Sequence, residues 1–277
     1  MNSVYHFFRS LVKQKELFFR IDKLGDFPFD ASLLSCKNTG VFPDMAIKLN
    51  KDRGLFTGGE LIELKDSLSY SVSSFNSTIP TRKKYISEII PSENSRTFRQ
   101  MTGAGNDIYS LPVREVFYLV RGKKNNHVKV CLVSGAFFET VSIENLIINS
   151  FQQVFEDNLK DSNIKIDQNI KELFQKLFSG QKNFSRVRTV ENASVKLRFR
   201  VMTEVMAEGN LLNPKKYPEI LNDSLNLLLP VHSDEEERGI INKFNIVFSK
   251  KEKREFRIFK VKHHFNGYFA VFQTALR

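Results

Sequence analysis

The chain has 277 residues, of which 41% are hydrophobic, and this composition excludes a largely disordered protein. No apolar run reaches the length that crosses a membrane, so we expect no membrane partner. The chain has 2 cysteines, which lie far apart in sequence and match no metal-binding spacing, so we expect it to work in a reducing cytoplasm. The formal net charge of +11 favours a polyanionic partner, because a basic surface gains affinity by displacing counterions from phosphates.

Residues 2–24 place apolar side chains at the spacing of an amphipathic helix, with basic residues among them. The pattern predicts a packing helix that ends before Gly25. Glu16 lies within this segment. Its carboxylate could join a metal site, but a solvent-exposed charge is the favoured interpretation.

A β-hairpin is predicted over residues 41–66. Both of its flanks alternate apolar and polar side chains, as strands do, and the glycine-containing turn between them suits a hairpin loop. Folded in this way, one end of the two-stranded ribbon can bring together Asp44, Glu63 and Lys65.

These three side chains suit the cleavage of a phosphodiester. Two carboxylates a few ångströms apart repel each other and are costly to keep ionised unless a cation lies between them. Carboxylate oxygens, with water and phosphate in the remaining positions, suit Mg²⁺, which can polarise a phosphodiester and activate water. Lys65 could orient or deprotonate the attacking water, or stabilise charge on the phosphate.

Pro43-Asp44, followed after residues 45–62 by Glu63-Leu64-Lys65, resembles the active-site signature of the PD-(D/E)XK nucleases, especially the type II restriction endonucleases. The Pro-Asp pair and the acidic-x-Lys triplet each occur once in the chain, in the family's order and near its usual spacing. The resemblance covers residues 40–80. The alternative interpretation is a solvent-exposed hairpin with an ordinary Glu-Lys pair.

The resemblance implies residue roles and partners. Asp44 and Glu63 would bind Mg²⁺, for which Mn²⁺ can substitute, and Lys65 would position or activate the water. The substrate would be double-stranded DNA, cut at a short specific sequence to leave 5′-phosphates. A homodimer would cut both strands, and a cognate DNA methyltransferase would protect the bacterial or archaeal host.

The segment after the hairpin is rich in Ser, Asn and Thr and ends in a basic triplet, and a long loop over residues 92–110 adds two arginines. Hydroxyl and amide groups can bond phosphates and base edges, while cations anchor the DNA backbone. An alternative, compatible with DNA contact, is a Ser-rich loop before a helix capped by Thr81. The predicted DNA-binding residues are Ser73, Asn76, Thr78, Arg82, Lys83, Lys84, Arg96 and Arg99.

Further elements are predicted in the second half of the chain. Strands over residues 113–121 and 127–133 form a hairpin, and an amphipathic helix covers residues 142–160. Residues 195–201 alternate cationic and apolar side chains, which suits either a phosphate-binding stripe or a sheet with one solvated face. The tail, residues 256–274, carries two more strands. The phenylalanine-rich stretches are interpreted as core rather than as base-stacking surfaces.

Together these observations predict an α/β protein with a central mixed β-sheet flanked by helices, a restriction-endonuclease-like core and an additional β-rich C-terminal part. We expect residues 1–277 to form a single nuclease domain, within which residues 183–277 could form a β-rich subdomain. The predicted function is a type II restriction endonuclease. The alternatives are a structure-specific or repair nuclease and a non-catalytic basic nucleic-acid-binding protein. Whether Glu60 joins the metal site is open.

Overall fold

A mixed β-sheet of nine strands organises the described part of the chain in the computed structural model. The strands of the described residues are β1 (Leu34–Lys37), β2 (Met45–Ile47), β3 (Leu61–Ser67), β4 (Ser74–Asn76), β5 (Lys83–Tyr85), β6 (Val113–Lys124), β7 (His127–Ser134), β8 (Met202–Glu204), β9 (Ser224–Val231), β10 (Phe256–His263) and β11 (Gly267–Ala275). The large sheet has the order β1-β2-β3-β6-β7-β9-β11-β10, and β5 also pairs with β6. Strands β4 and β8 form a separate two-stranded sheet.

The helices of the same residues are α1 (Ser3–Lys13), α2 (Leu17–Arg20), α3 (Ile86–Ile89), α4 (Arg96–Gly103), α5 (Asp234–Val247) and α6 (Lys250–Lys253). The structure describes residues 3–37, 42–49, 58–72, 74–76, 80–90, 92–139 and 202–276, together with positions 149, 153, 154, 156, 157, 167–169, 172 and 173. None of the helices in these ranges combines the length and the apolar character needed to span a membrane.

The chain divides into two units. The first comprises Met1–Ser74, Thr81–Glu139 and Glu204–Arg277, and the second comprises Phe75–Pro80 and Thr140–Thr203. The C-terminal strands β9, β10 and β11 therefore belong to the first unit, the one that contains β2 and β3.

The sheet is mixed because hairpins alternate with crossovers. β2 runs antiparallel to both β1 and β3, whereas β3 is parallel to β6 and β7 is parallel to β9. β6 and β7 form the predicted hairpin, whose two-residue turn places Asn125 and Asn126 at positive φ, as a type I′ turn requires. The predicted tail strands are confirmed as β10 and β11, which pair antiparallel. The α/β class and the large mixed sheet flanked by helices are confirmed.

Helices α1 and α5 pack on one face of the sheet. Phe8 of α1 and Phe244 of α5 are fully buried in a cluster that includes Ile62 of β3 and Phe117 of β6. The interpretation of the phenylalanine-rich stretches as core is confirmed for these residues. Since side chains alternate along a strand, Glu63 lies on the opposite face of the sheet from Ile62.

Several local predictions were wrong. The single helix predicted over residues 2–24 is interrupted by a turn between α1 and α2. The loop predicted over residues 92–110 contains α4, which begins where the Ser95 hydroxyl accepts a hydrogen bond from the Phe98 backbone N–H at 3.2 Å. The segment after Thr81 enters strand β5 before its helix begins.

Two other predicted elements cannot be compared with the structure. The helix over residues 142–160 lies mostly outside the described residues, and the alternating strand over 195–201 lies wholly outside them.

An ion pair with a buried arginine joins β3 to its parallel neighbour β6. Asp66 lies opposite Arg121 of β6, and the guanidinium donates to its two carboxylate oxygens at 2.8 and 2.6 Å. Arg121 also donates to the backbone carbonyls of Phe18, Ile21 and Asp22 at 3.0 to 3.2 Å. The Arg121 side chain is fully buried, so its charge depends on these acceptors.

Replacing Asp66 by Ala should lower the free energy of unfolding by about 3 kcal/mol, because it leaves the Arg121 charge buried without its carboxylate. Urea denaturation followed by circular dichroism measures the loss. Glu16→Ala serves as the control, because Glu16 pairs with Arg20 at the surface at 3.9 Å and should change stability by less than about 0.5 kcal/mol. Equal losses in the two variants would contradict this account of Arg121.

Candidate active site

The β2–β3 hairpin positions Asp44 beside the middle of β3. Met45 lies opposite Ile62, and the pairing continues where the Ile47 backbone N–H donates to the Glu60 carbonyl at 2.8 Å. Asp44 directly precedes β2, and its Oδ2 accepts a hydrogen bond from the Leu64 backbone N–H at 2.8 Å. The short antiparallel pairing thus fixes the Asp44 carboxylate against the segment that carries the other two predicted residues.

Glu63 and Lys65 project from the same face of β3. They are two residues apart on one strand, and the Lys65 Nζ donates to Glu63 Oε1 at 3.0 Å. The Glu63 side chain is 12% exposed and that of Lys65 is 22% exposed. The structure therefore brings Asp44, Glu63 and Lys65 together in a partly buried setting.

The two carboxyl groups resist ionisation. Burial raises the pKa of Asp44, against the hydrogen bond from the Leu64 backbone N–H and the charge of Lys65. Burial also raises the pKa of Glu63, the Lys65 ammonium opposes this shift, and the nearby Asp44 carboxylate adds to it. Because these two carboxyl groups with raised pKa values lie beside a single ammonium, a further cation bound between them would favour their ionised forms.

The carboxylate oxygens fit a hard divalent cation. Glu63 Oε2 is buried and has no hydrogen-bond partner among the described residues, so one oxygen of the pair is available as a ligand. Within the same part of the chain, no group of three or more His, Cys, Asp or Glu side chains is arranged to hold a metal ion. The site therefore offers two protein carboxylates, and water and phosphate would have to supply the remaining oxygens.

The two other acids considered from the sequence lie elsewhere. Glu16 is 74% exposed and pairs with Arg20, as the favoured surface interpretation expects. Glu60 is buried and accepts a hydrogen bond from the Ser3 hydroxyl, and burial raises the pKa of Glu60 to about 7. The Ser3 hydroxyl contacts Oε1, while Glu60 Oε2, like Glu63 Oε2, is buried without a hydrogen-bond partner among the described residues.

The predicted DNA-binding residues fall into different surroundings. Ser73 and Thr78 lie outside the described residues, and only the backbone of Asn76 is described. Lys83, Arg96 and Arg99 are exposed, the first on β5 and the two arginines on α4. Arg82 is half-buried, with its Nη1 3.5 Å from His232 Nε2.

Lys84 belongs to the surroundings of Glu63. It is half-buried on β5, and burial lowers the pKa of its amine, against the charges of Glu88 and Glu63. Tyr118 is a further neighbour that the sequence did not single out: it lies opposite Glu63 on β6, and burial together with the Glu63 charge raises its pKa. Tyr118 sits in an apolar run, so only the strand register could have identified it.

The chain matches no family model, no curated protein and no solved structure.

Replacing Lys65 by Met should raise the pKa of Glu63 further, because the variant removes both the ammonium charge and its hydrogen bond. An NMR titration of the labelled glutamate carboxyl carbons measures the shift. Lys260→Met is the control, since Lys260 pairs with Glu237 at 2.9 Å and should leave Glu63 unchanged. A Glu63 pKa that is the same in wild type and Lys65→Met would show that the two groups do not interact.

Proposed function

We propose that the chain is a Mg²⁺-dependent endonuclease that hydrolyses phosphodiester bonds of double-stranded DNA. One observation carries this proposal: Asp44, Glu63 and Lys65 meet on the β2–β3 hairpin, with Lys65 Nζ 3.0 Å from Glu63 and Asp44 anchored on Leu64. The spacing that resembles the PD-(D/E)XK signature in sequence thus corresponds to a single cluster of side chains.

Asp44 and Glu63 would hold the cation, and the unpaired Oε2 of Glu63 is the acceptor most in need of one. When bound, Mg²⁺ supplies positive charge that offsets the two carboxylates and polarises the phosphodiester. Lys65, fixed by Glu63, would orient or deprotonate the attacking water or stabilise the charge that develops on the phosphate.

Hydrolysis forms a bond between the water oxygen and phosphorus and breaks the bond from phosphorus to the 3′ oxygen. The electron pair of the broken bond leaves with the 3′ oxygen, which takes up a proton, and the water loses one. The products carry a 5′-phosphate and a 3′-hydroxyl. The side chains of the cluster bind, orient and exchange a proton, and none of them forms a covalent intermediate.

Charge favours the same substrate. The net charge of +11 attracts a polyanion over long distances. Arg96 and Arg99 are exposed on α4, and Lys83 is exposed on β5, one residue from Lys84. These cations would contact the phosphate backbone and set the position of the duplex rather than read its sequence.

The more specific form of the proposal is a type II restriction endonuclease of the PD-(D/E)XK superfamily. Such an enzyme would cut a short specific sequence as a homodimer in a bacterial or archaeal cytoplasm, alongside a cognate DNA methyltransferase. Mg²⁺ would be its cofactor, and Mn²⁺ would be able to substitute for it. This form rests on the resemblance of the hairpin sequence, and the fold would be the restriction-endonuclease-like core expected from that resemblance.

Incubation of the protein with plasmid DNA and Mg²⁺ tests the proposal, and discrete fragments are expected. Lys65→Ala should slow cleavage about 100-fold, because it removes the amine that positions or activates the water. Lys260→Ala is the matched control: its ammonium pairs with Glu237, so cleavage should continue at the wild-type rate.

Each other outcome points to a different function. Diffuse nicking would favour a structure-specific or repair nuclease, and a mobility shift without cleavage would favour a non-catalytic binding protein. A Lys65→Ala variant that cuts at the full rate would remove the proposed mechanism.

A further inference from the structure

Lys84 is the inward-facing residue of β5. The residues on either side of it, Lys83 and Tyr85, are exposed, whereas Lys84 is half-buried. It lies opposite Arg114 of β6, and the pairing is extended where the Val116 backbone N–H donates to the Arg82 carbonyl at 2.9 Å. This strand approaches β6 close to Tyr118, the residue that faces Glu63 from the same strand.

Two observations locate the Lys84 amine beside the candidate active site. Its Nζ lies 5.4 Å from the centre of the Phe42 ring, and Phe42 is two residues before Asp44. The charges of Glu88 and Glu63 both act on the amine. Glu63 therefore has ammonium groups from two separate strands near it, Lys65 from its own strand and Lys84 from β5.

We propose that Lys84 contacts the scissile phosphate directly and stabilises the negative charge that develops there during cleavage. The inference rests on the nuclease proposed above. It assigns to the reaction centre a second amine that comes from outside the catalytic hairpin.

The balance of charge supports this role. Asp44, Glu63 and a phosphodiester would bring three negative charges together, and Lys65 offsets one of them. Lys84 offsets another before any cation binds, and its half-buried position makes a charge interaction stronger than it would be in water. Its Nζ lies over the Phe42 ring, so the amine is positioned in advance rather than drawn from solvent.

The competing explanation is structural. Glu88 follows Lys84 by four residues, and an ion pair between them could do no more than hold α3 against β5. The two explanations predict different effects on DNA binding and on the rate of cleavage. A phosphate contact changes the salt dependence of DNA binding and the rate of the chemical step, whereas a structural pair changes neither directly.

Lys84→Met removes the charge and keeps an apolar stem, and Lys260→Met is the control, because Lys260 pairs with Glu237 at 2.9 Å and has no role in the proposed site. Cleavage of plasmid DNA in Mg²⁺ is measured with enzyme in saturating excess. Lys84→Met should slow this single-turnover rate about 100-fold, and Lys260→Met should cut at the wild-type rate because its ammonium pairs with Glu237.

The second measurement needs no metal. Binding of a fluorescent duplex that spans a mapped cut site is followed in EDTA over a range of salt concentrations. Lys84→Met should reduce the slope of log K against log salt by about one, and Lys84→Arg should restore it because it keeps the charge. Should Lys84→Met lose the circular dichroism spectrum of the folded protein, Lys84→Gln replaces it with the same expectations.

The outcomes separate this inference from the nuclease itself. If the wild type cuts and Lys84→Met cuts as fast with an unchanged salt slope, Lys84 has no role and the nuclease stands. If Lys84→Met is slow but its salt slope equals that of the wild type, the structural pair with Glu88 explains the loss and direct phosphate contact is overturned. If the wild type leaves DNA intact in Mg²⁺, the nuclease and this inference fail together.

Discussion

The ionised form of Glu63 is the constraint on which the candidate site depends. Its carboxylate is mostly buried near the like charge of Asp44, and the Lys65 ammonium 3.0 Å away is the nearest compensation. Burial and Asp44 disfavour the charge while Lys65 favours it. Buried ion pairs are weak contributors to stability, so stability alone does not account for this arrangement, and the proposed cation would offset the charge of the two carboxylates.

The side chains of β3 alternate between the two faces of the sheet, so the candidate site lies on one face and the residues that stabilise the fold lie on the other. Glu63 and Lys65 face one side of the sheet, while Ile62 and Asp66 face the other, where α1 and α5 pack. Asp66, the residue that follows Lys65, accepts two hydrogen bonds from the buried Arg121. The strand that carries the candidate catalytic groups is therefore anchored next to them, which is what keeps such groups in a fixed geometry.

The parts of the fold that follow from local patterns could be predicted, and the long-range parts could not. Apolar strands joined by the glycine- and asparagine-containing residues 122–126 identify the β6–β7 hairpin, and a Pro-Asp pair with an acidic-x-Lys triplet identifies the cluster of the candidate site. Helix α4 was missed because it buries little apolar surface and is marked mainly by its Ser95 cap. The position of Lys84 beside Glu63 depends on how β5 pairs with β6, and no local pattern encodes that register.

Calorimetric titration of Mg²⁺ into the protein without DNA tests most directly whether the buried carboxylate pair is a cation site. The wild type should bind Mg²⁺ saturably, and Asp44→Asn should lose this binding, because one of the two ionised oxygen donors becomes a neutral amide. Identical titrations of the wild type and Asp44→Asn would contradict the account, since the cation would then not be held by this pair.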